Sequence, residues 1–221
     1  AARRGRGDRR RQRLVPRLPK ALVNPKLLGV LLAYPEAPLI DALPELRKAT
    51  AGVPRGERRS LQPFLDAVES TPLSGLQRAY VETFDFDRRC GLHLTYHVHG
   101  DRRQRGLELV RLKRRYAEAG VPLEGSELPD YLPVVLEFTS LRPDDGRELL
   151  TSFRGVLELI RSALHDRESL YAGVLDALCA ALPQPSAAQL REMRRLAEEG
   201  PPAELVGLES FDVPAPAEVV G

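Results

Sequence analysis

One cysteine and three histidines lie close together in the sequence, and their sulfur and nitrogen atoms are of the kind that bind zinc in other proteins. Cys90, His93 and His97 would share a face if the segment were helical, whereas His99 would point about 160° away from His97. Three ligands with an open position would suit a catalytic zinc, but no Glu-x-x-His pair and no second cysteine pair accompany them. We therefore expect helix packing and interhelical hydrogen bonds here, and we predict no metal site.

Acidic and aromatic residues alternate shortly before this cluster. Glu82, Asp85 and Asp87 flank Phe84 and Phe86. Such carboxylates could perform general acid–base chemistry or form a solvated rim. They would also suit a groove that receives a basic amphipathic helix, because the rings bury apolar area and the acids pair with Lys or Arg at the edge.

The motifs of common enzyme classes are missing from the sequence. No G-x-G-x-x-G or G-x-x-x-x-G-K loop is present, and Ser74 does not sit in a G-x-S-x-G elbow. Cys90 and Cys179 lack C-x-x-C spacing, which favours buried thiols in a reducing compartment. The sequence predicts neither catalytic residues nor a cofactor, and it contains no apolar run of membrane-spanning length.

The elements that must position these residues have helical periodicity, and no run alternates with the period of a half-buried strand. The prediction is an all-α, single-domain helical bundle. Thr71 and Pro72 are typical of a helix start, Asp144 or Asp145 would cap a long helix that carries Leu149 to Leu164, and Ser186 would cap the last helix. The predicted helices cover residues 24–33, 37–50, 56–70, 72–84, 101–119 and 129–141, one from about 144 to 164, one from 171 to 182, and one from 186 to 199.

Both ends of the sequence differ in charge from the middle. Residues 1–20 carry a net charge of +8, and the last 21 residues contain four acidic residues and no basic one. A dense run of one sign is typical of a solvated tail, although it can attract nucleic acid or anionic lipid. We predict a disordered basic arm over residues 1–22, a helical domain over 23–200, and a flexible acidic tail over 201–221.

Three strings in the middle of the sequence are specific in residue type and order. They are YVETFD at residues 80–85, LHLTYHVHGDRRQRG at 92–106, and ELPDYLPVVLEF at 127–138. These strings resemble the signature segments of NarJ-type assembly chaperones. His99, Gly100, Arg103, Arg105 and Gly106 match the H-G-x-x-R-x-R-G pattern of that family, and Gly100 and Gly106 would bracket a turn.

The resemblance implies an all-helical domain of the TorD/DmsD superfamily with no activity of its own. It implies a cytoplasmic chaperone that binds the N-terminal segment of a nitrate reductase catalytic subunit, supports molybdenum cofactor insertion, and times delivery to the membrane anchor. The cofactor would be cargo of the client. The basic and acidic ends are not part of the family pattern.

On this basis we expect a peptide-binding groove in which Pro129 and Pro133 stiffen one rim. Glu82, Asp85 and Asp130 are the expected polar contacts, while the arginines of the motif turn would either touch the partner or form an internal ion-pair network. The full predicted peptide-binding set is Tyr80, Glu82, Phe84, Asp85, Phe86, Glu127, Asp130 and Tyr131.

The rival hypothesis is a helical nucleic-acid-binding regulator that uses the arginine-rich arm. The arm supports it, but the acidic remainder of the chain and the lack of aromatic residues in the arm oppose it. A metal-dependent helical enzyme is the third alternative. Steep salt dependence of binding would indicate the nucleic-acid function, because phosphate contacts release counterions.

Overall fold

The computed structural model describes residues 24–199, so the predicted basic arm and acidic tail lie outside the described residues. The described part is helical, as predicted, and its one β-type pairing is an isolated antiparallel bridge between His93 and Tyr131. The helices are α1 (Pro25–Leu32), α2 (Ala37–Asp41), α3 (Leu43–Ala51), α4 (Arg55–Ser70), α5 (Leu73–Phe84), α6 (Leu94–His99), α7 (Arg103–Glu118), α8 (Leu132–Leu141), α9 (Pro143–Ser152), α10 (Arg154–Asp166), α11 (Ala172–Ala181) and α12 (Ala187–Glu199).

Helix α8 lies at the centre of the bundle, as its nearly all-apolar sequence predicts. Leu132, Val135 and Leu136 are fully buried, and the helix packs between α1 and α9. A second layer places α11 between α4 and α10. Both layers need glycine at a crossing, because a Cβ on Gly146 would collide with Thr139 and one on Gly173 would collide with the backbone of Ser60.

Two predicted helices are each divided in the structure. The segment 37–50 breaks at Ala42, because Pro44 has no N–H to continue the ladder. The long helix over 144–164 breaks at Phe153, next to Ser152, whose hydroxyl donates to the carbonyl of Leu149 (2.7 Å) and competes with the backbone. The apolar stripe is nevertheless buried on both halves.

Helix caps are less well predicted than helix interiors. Pro72, not Thr71, is the N-cap of α5, and Arg142 precedes α9, so that Asp144 and Asp145 lie in its first turn. Ser186 does cap α12 as expected. Its hydroxyl accepts the N–H of Gln189 (3.2 Å), and the Gln189 side chain accepts the N–H of Ser186 (2.9 Å).

Candidate functional site

Asp130 is the centre of a buried polar cluster that joins two of the three signature strings. One carboxylate oxygen accepts hydrogen bonds from the backbone N–H (3.2 Å) and the hydroxyl (2.5 Å) of Thr95, and the other accepts one from Nδ1 of His93 (3.3 Å). The guanidinium of Arg105 lies 3.6 Å away. Asp130, His93, Thr95 and Arg105 are called the Asp130 cluster below.

The cluster is built to hold a charged carboxylate away from the solvent-exposed surface. Asp130 is completely buried, and burial by itself raises the pKa of a carboxyl group. Hydrogen bonds from His93 and Thr95, with the charge of Arg105, outweigh that effect and hold the pKa of Asp130 below its usual range. Asp130 is therefore ionised and bound internally, which makes it a structural anchor.

Backbone hydrogen bonds complete the connection between the two strings. The N–H of Leu94 donates to the carbonyl of Asp130 (3.0 Å), and the N–H of Leu132 donates to the carbonyl of Leu92 (2.9 Å). Tyr116 of α7 donates its hydroxyl to the carbonyl of Pro129 (2.7 Å) from the other side. The loop before α8 is thus fixed by bonds on two sides, in addition to the stiffness that Pro129 and Pro133 give it.

The motif turn is shorter than the sequence analysis predicted. His99 ends α6, Gly100 caps it with φ +58°, a conformation that favours glycine, and Arg103 already begins α7. Gly106 lies inside α7 with open space around its Cα, so it brackets no turn. Arg105 belongs to the Asp130 cluster and lies over the ring of Tyr96 (5.5 Å), which supports the internal-network alternative for this arginine.

A pair of tyrosines connects the Asp130 cluster to the surface. The hydroxyl groups of Tyr80 and Tyr131 are 2.8 Å apart, and the ring of Tyr34 packs edge-on against Tyr80. Burial is the main reason why the pKa values of both hydroxyl groups are raised, so both stay protonated and can donate. Behind Tyr80, Phe84 and Tyr171 continue the ring contacts into the core.

Aromatic rings and carboxylates are exposed beside this pair and at the end of α5. Tyr34 is 45% exposed, Tyr131 is half-buried and Phe86 is 79% exposed. Asp85 and Glu127 are exposed, and both lie close enough to Tyr131 for their charges to raise its pKa. Glu82 is exposed in the last turn of α5, which ends at Phe84 just before Asp85. We call Tyr34, Phe86, Tyr131, Glu82, Asp85 and Glu127 the aromatic–acidic surface.

Three of the eight predicted peptide-binding residues lie behind this surface. Tyr80 is 6% exposed, Phe84 7% and Asp130 0%, so they do not line an open groove. The expected groove is therefore revised to a surface that these three support from within. Peptide contact by the other five remains a prediction, namely Glu82, Asp85, Phe86, Glu127 and Tyr131.

The histidine and cysteine cluster is used for packing and internal hydrogen bonds. Helix α6 begins only at Leu94, so Cys90 and His93 precede it and the helical face assumed in the sequence analysis does not form. His97 donates from Nε2 to the carbonyl of Gly91 (2.7 Å), and its burial lowers its pKa. Within residues 24–199, no group of three or more His, Cys, Asp and Glu residues is placed to hold a metal ion.

Two contributors to the site were not found from the sequence. Tyr34 lies in a loop 46 residues before Tyr80, and no local pattern marks a contact across that distance. Thr95 has no feature that separates it from any other threonine until Asp130 is placed beside it. The acidic residue in a Pro-Asp-Tyr string next to a buried helix was the signal available for Asp130.

Comparisons with known proteins agree with the resemblance of the signature strings. Residues 50–177 match the family model described as nitrate reductase delta subunit. The chain is 37% identical to the nitrate reductase molybdenum cofactor assembly chaperone NarJ of Escherichia coli K12 over 157 residues, which is 69% of this chain and 66% of that protein. It is 32% identical to NarJ of Bacillus subtilis 168, covering 70% of this chain and 85% of that protein.

A second Escherichia coli relative, described as the chaperone NarW, is 34% identical over 69% of this chain and 65% of its own length. The match therefore covers slightly less than two thirds of the two Escherichia coli relatives. These relatives are named as assembly chaperones and not as catalysts, in agreement with the prediction that the chain is not an enzyme.

The fold also has a counterpart among solved structures. A protein from Archaeoglobus fulgidus, described as a redox enzyme maturation protein, superposes with a TM-score of 0.54 at 23% identity and covers 72% of this chain and 91% of that one. This likeness supports the all-α fold. From the family model, the identities and the signature strings, the chain belongs to the nitrate reductase delta subunit family, the family of NarJ-type molybdenum cofactor assembly chaperones.

Proposed function

We propose that this protein is a system-specific chaperone that binds the N-terminal segment of a nitrate reductase catalytic subunit through the aromatic–acidic surface. Binding would hold the subunit while the molybdenum cofactor is inserted and before delivery to the membrane anchor. We place this activity in the cytoplasm, where that subunit would be loaded. The catalytic subunit is the proposed partner, and nucleic acid is not.

The observation that carries the proposal is the construction of the aromatic–acidic surface. Tyr131 and Glu127 come from one signature string, while Glu82 and Asp85 come from another. Its rings offer apolar area and its carboxylates offer partners for Lys or Arg, which suits a basic amphipathic helix. The buried Asp130 cluster holds the loop that carries Tyr131 in one shape, so little ordering entropy is lost on binding.

Reversible binding suits this role better than tight binding. A few apolar anchors such as Tyr131 and Phe86 supply most of the affinity of a small interface, and rim charges mainly affect the association rate. Within residues 24–199, no helix has the length and apolar character needed to cross a lipid bilayer.

The direct test is calorimetric titration of the whole chain with a synthetic peptide from the N-terminus of the nitrate reductase catalytic subunit of the same organism. Saturable binding with a negative heat-capacity change is expected, because apolar surface is buried. A folded protein that shows no heat and no saturation with this peptide would refute the proposal.

Charge reversal separates the proposed surface from the rest of the molecule. The variant E82K/D85K/E127K should weaken peptide binding by about tenfold or more, since close opposite charges become like charges. The matched control D41K/E45K/E198K makes the same charge change at exposed acids elsewhere and should leave binding within about twofold. Equal effects of both variants would contradict a specific acidic surface.

A further inference from the structure

Helix α7 carries an apolar pair on its outer face. Leu107 is 56% exposed and Val110 is 65% exposed, and they lie three residues apart on one side of the helix. The buried residues of α7, Leu112 and Tyr116, lie on the opposite side. Within residues 24–199, no segment covers the outer pair, although its two side chains present a contiguous apolar stripe.

The residues around this stripe are mainly basic. Helix α7 contains six Arg or Lys residues and two Glu residues, a net charge of +4. Exposed basic residues flank the stripe at Arg103, Arg111 and Arg114. Arg111 forms an ion pair with Glu108, and Arg114 forms one with Glu118. The apolar stripe and its basic flanks are called the α7 face below.

The surroundings of the α7 face differ in charge from those of three other exposed apolar residues of the described chain. Phe86 lies between Asp85 and Asp87, and the clefts on either side of α8, next to Val30 and Leu141, both include Glu137, with Lys26 in the first. An acidic apolar segment would meet a carboxylate at each of these places. At the α7 face it would gain both apolar contact and ion pairs.

A segment of that composition follows α12 in the sequence. Residues 201–221 include four acidic residues and no basic one, and apolar residues are interspersed among them. Its acidic residues are Glu204, Glu209, Asp212 and Glu218, and its larger apolar residues are Leu205, Val206, Leu208, Phe211, Val213, Val219 and Val220.

The last turn of α12 lies near α7. Leu196 of α12 is 3% exposed and lines a cavity of about 360 Å³ together with Glu108 of α7 and His99 of α6. Helix α12 ends three residues later, at Glu199. Since an extended chain spans about 3.3–3.6 Å per residue, ten residues reach at most about 35 Å, which is more than the roughly 24 Å length of α7.

We propose that the acidic segment 201–221 docks on the α7 face of its own chain and covers Leu107 and Val110. The segment would supply its apolar residues to the stripe and its carboxylates to the arginines beside it. Because segment and face belong to one chain, the high effective concentration allows a weak contact to be populated. The contact would shield an apolar surface that could otherwise bind another molecule.

Photo-cross-linking in the whole chain tests this contact. A benzoylphenylalanine placed at Val110 should cross-link within one chain to residues 201–221, with a yield that does not depend on protein concentration. The same probe at the exposed Arg59 of α4 is the control and should not label that segment. Proteolysis and mass spectrometry identify the labelled residues.

Charge variants test whether the contact depends on the acidic residues of the segment and the basic residues of the α7 face. The variant E204K/E209K/D212K should lower the cross-link yield at least several-fold, whereas E204D/E209D/D212E keeps the charge and should retain it. Cross-links that join two chains would show that a second copy of the protein contacts the α7 face, and they would overturn the proposal. Protection of the probe only when phosphatidylglycerol vesicles are added, or no label on residues 201–221, would overturn it as well.

Discussion

Thr95 and Asp130, which are 35 residues apart in the sequence, form a buried 2.5 Å hydrogen bond. Neither group touches solvent, and the carboxylate receives the backbone N–H of Thr95 as well. This bond fixes the loop before α8 against the start of α6. The rigidity of the aromatic–acidic surface depends on it, and the following predictions begin there.

Removal of the charge from Asp130 should destabilise the protein strongly. In Asp130→Asn, the amide cannot accept both bonds of Thr95 and the bond of His93, and Arg105 loses its buried counter-charge. We expect a loss of about 3 kcal/mol in the free energy of unfolding by urea. Asp101→Asn is the control and should cost less than about 0.5 kcal/mol, because Asp101 is 72% exposed and 4.0 Å from Arg105. Equal losses would mean that the buried cluster contributes no more than a surface pair.

Stability should fall in mild acid because of His97. Burial lowers the pKa of this histidine in the folded protein, so below the unfolded value of about 6.5 the unfolded chain takes up a proton that the folded protein resists. The stabilisation is present above that pH and is lost as the pH falls towards the lower folded pKa. Urea midpoints measured from pH 7.5 to pH 5 should drop more for the parent than for His97→Gln, whose amide can still donate to Gly91. Parallel curves would contradict a neutral buried His97.

Protonation of Asp130 should cause a second loss of stability, at lower pH than that caused by His97. Its folded pKa is depressed, so its contribution is present above the unfolded pKa of about 3.9 and is lost as the pH falls through the folded value. The parent should therefore lose stability below about pH 4 more steeply than Asp130→Asn does. Denaturation followed by circular dichroism between pH 5 and pH 2.5 measures the difference, and identical slopes would show that Asp130 is not bound as described.

Alanine substitution should have opposite effects on stability at Gly173 and Gly106. Gly173→Ala should destabilise by about 3 kcal/mol or more, or prevent folding, because its Cβ would overlap the backbone of Ser60 where α4 and α11 cross. Gly106→Ala should raise stability by about 0.5–1 kcal/mol, since the residue is exposed inside α7 with nothing near it. Thermal melting of both variants measures these changes in stability. Destabilisation by Gly106→Ala would reveal a local constraint at the motif glycine.

Both cysteines should be inert in the native protein. Cys90 is 0% exposed and Cys179 5%, and burial raises the pKa of each thiol to about 11. A disulfide reagent at pH 8 should label neither in minutes, and it should label both once the chain is unfolded in urea. Rapid native labelling of either residue would indicate local opening around it.

The sequence predicts those features of the fold that a repeated pattern of residues determines, and it does not predict those that a single contact determines. The all-α class and the buried α8 follow from periodicity and composition, which many residues express together. The breaks at Ala42 and Phe153 depend on one proline and one hydroxyl group, whose effect competes with an otherwise good helix pattern.

The candidate site illustrates the same distinction. Glu82, Asp85, Phe86 and Glu127 could be proposed from residue type, and the structure exposes all four. Tyr80 and Phe84 have the same character in the sequence, but the register of α5 turns them towards Tyr171. Burial at this level depends on which helix packs on the other side, and no local sequence contains that information.

The His93–Tyr131 bridge also closes a loop of the chain that contains a weakly buried helix, α7. The chain leaves this point, forms α6 and α7, and returns to it 38 residues later, so the excursion is a loop closed at its own base. Only Leu112 and Tyr116 of α7 are buried, while α1, α8 and α11 form the continuous core. Amide hydrogens of α7 should therefore exchange through a partial opening at lower free energy than those of α8, whereas α6, whose Leu94 and His97 are buried, should exchange with the core.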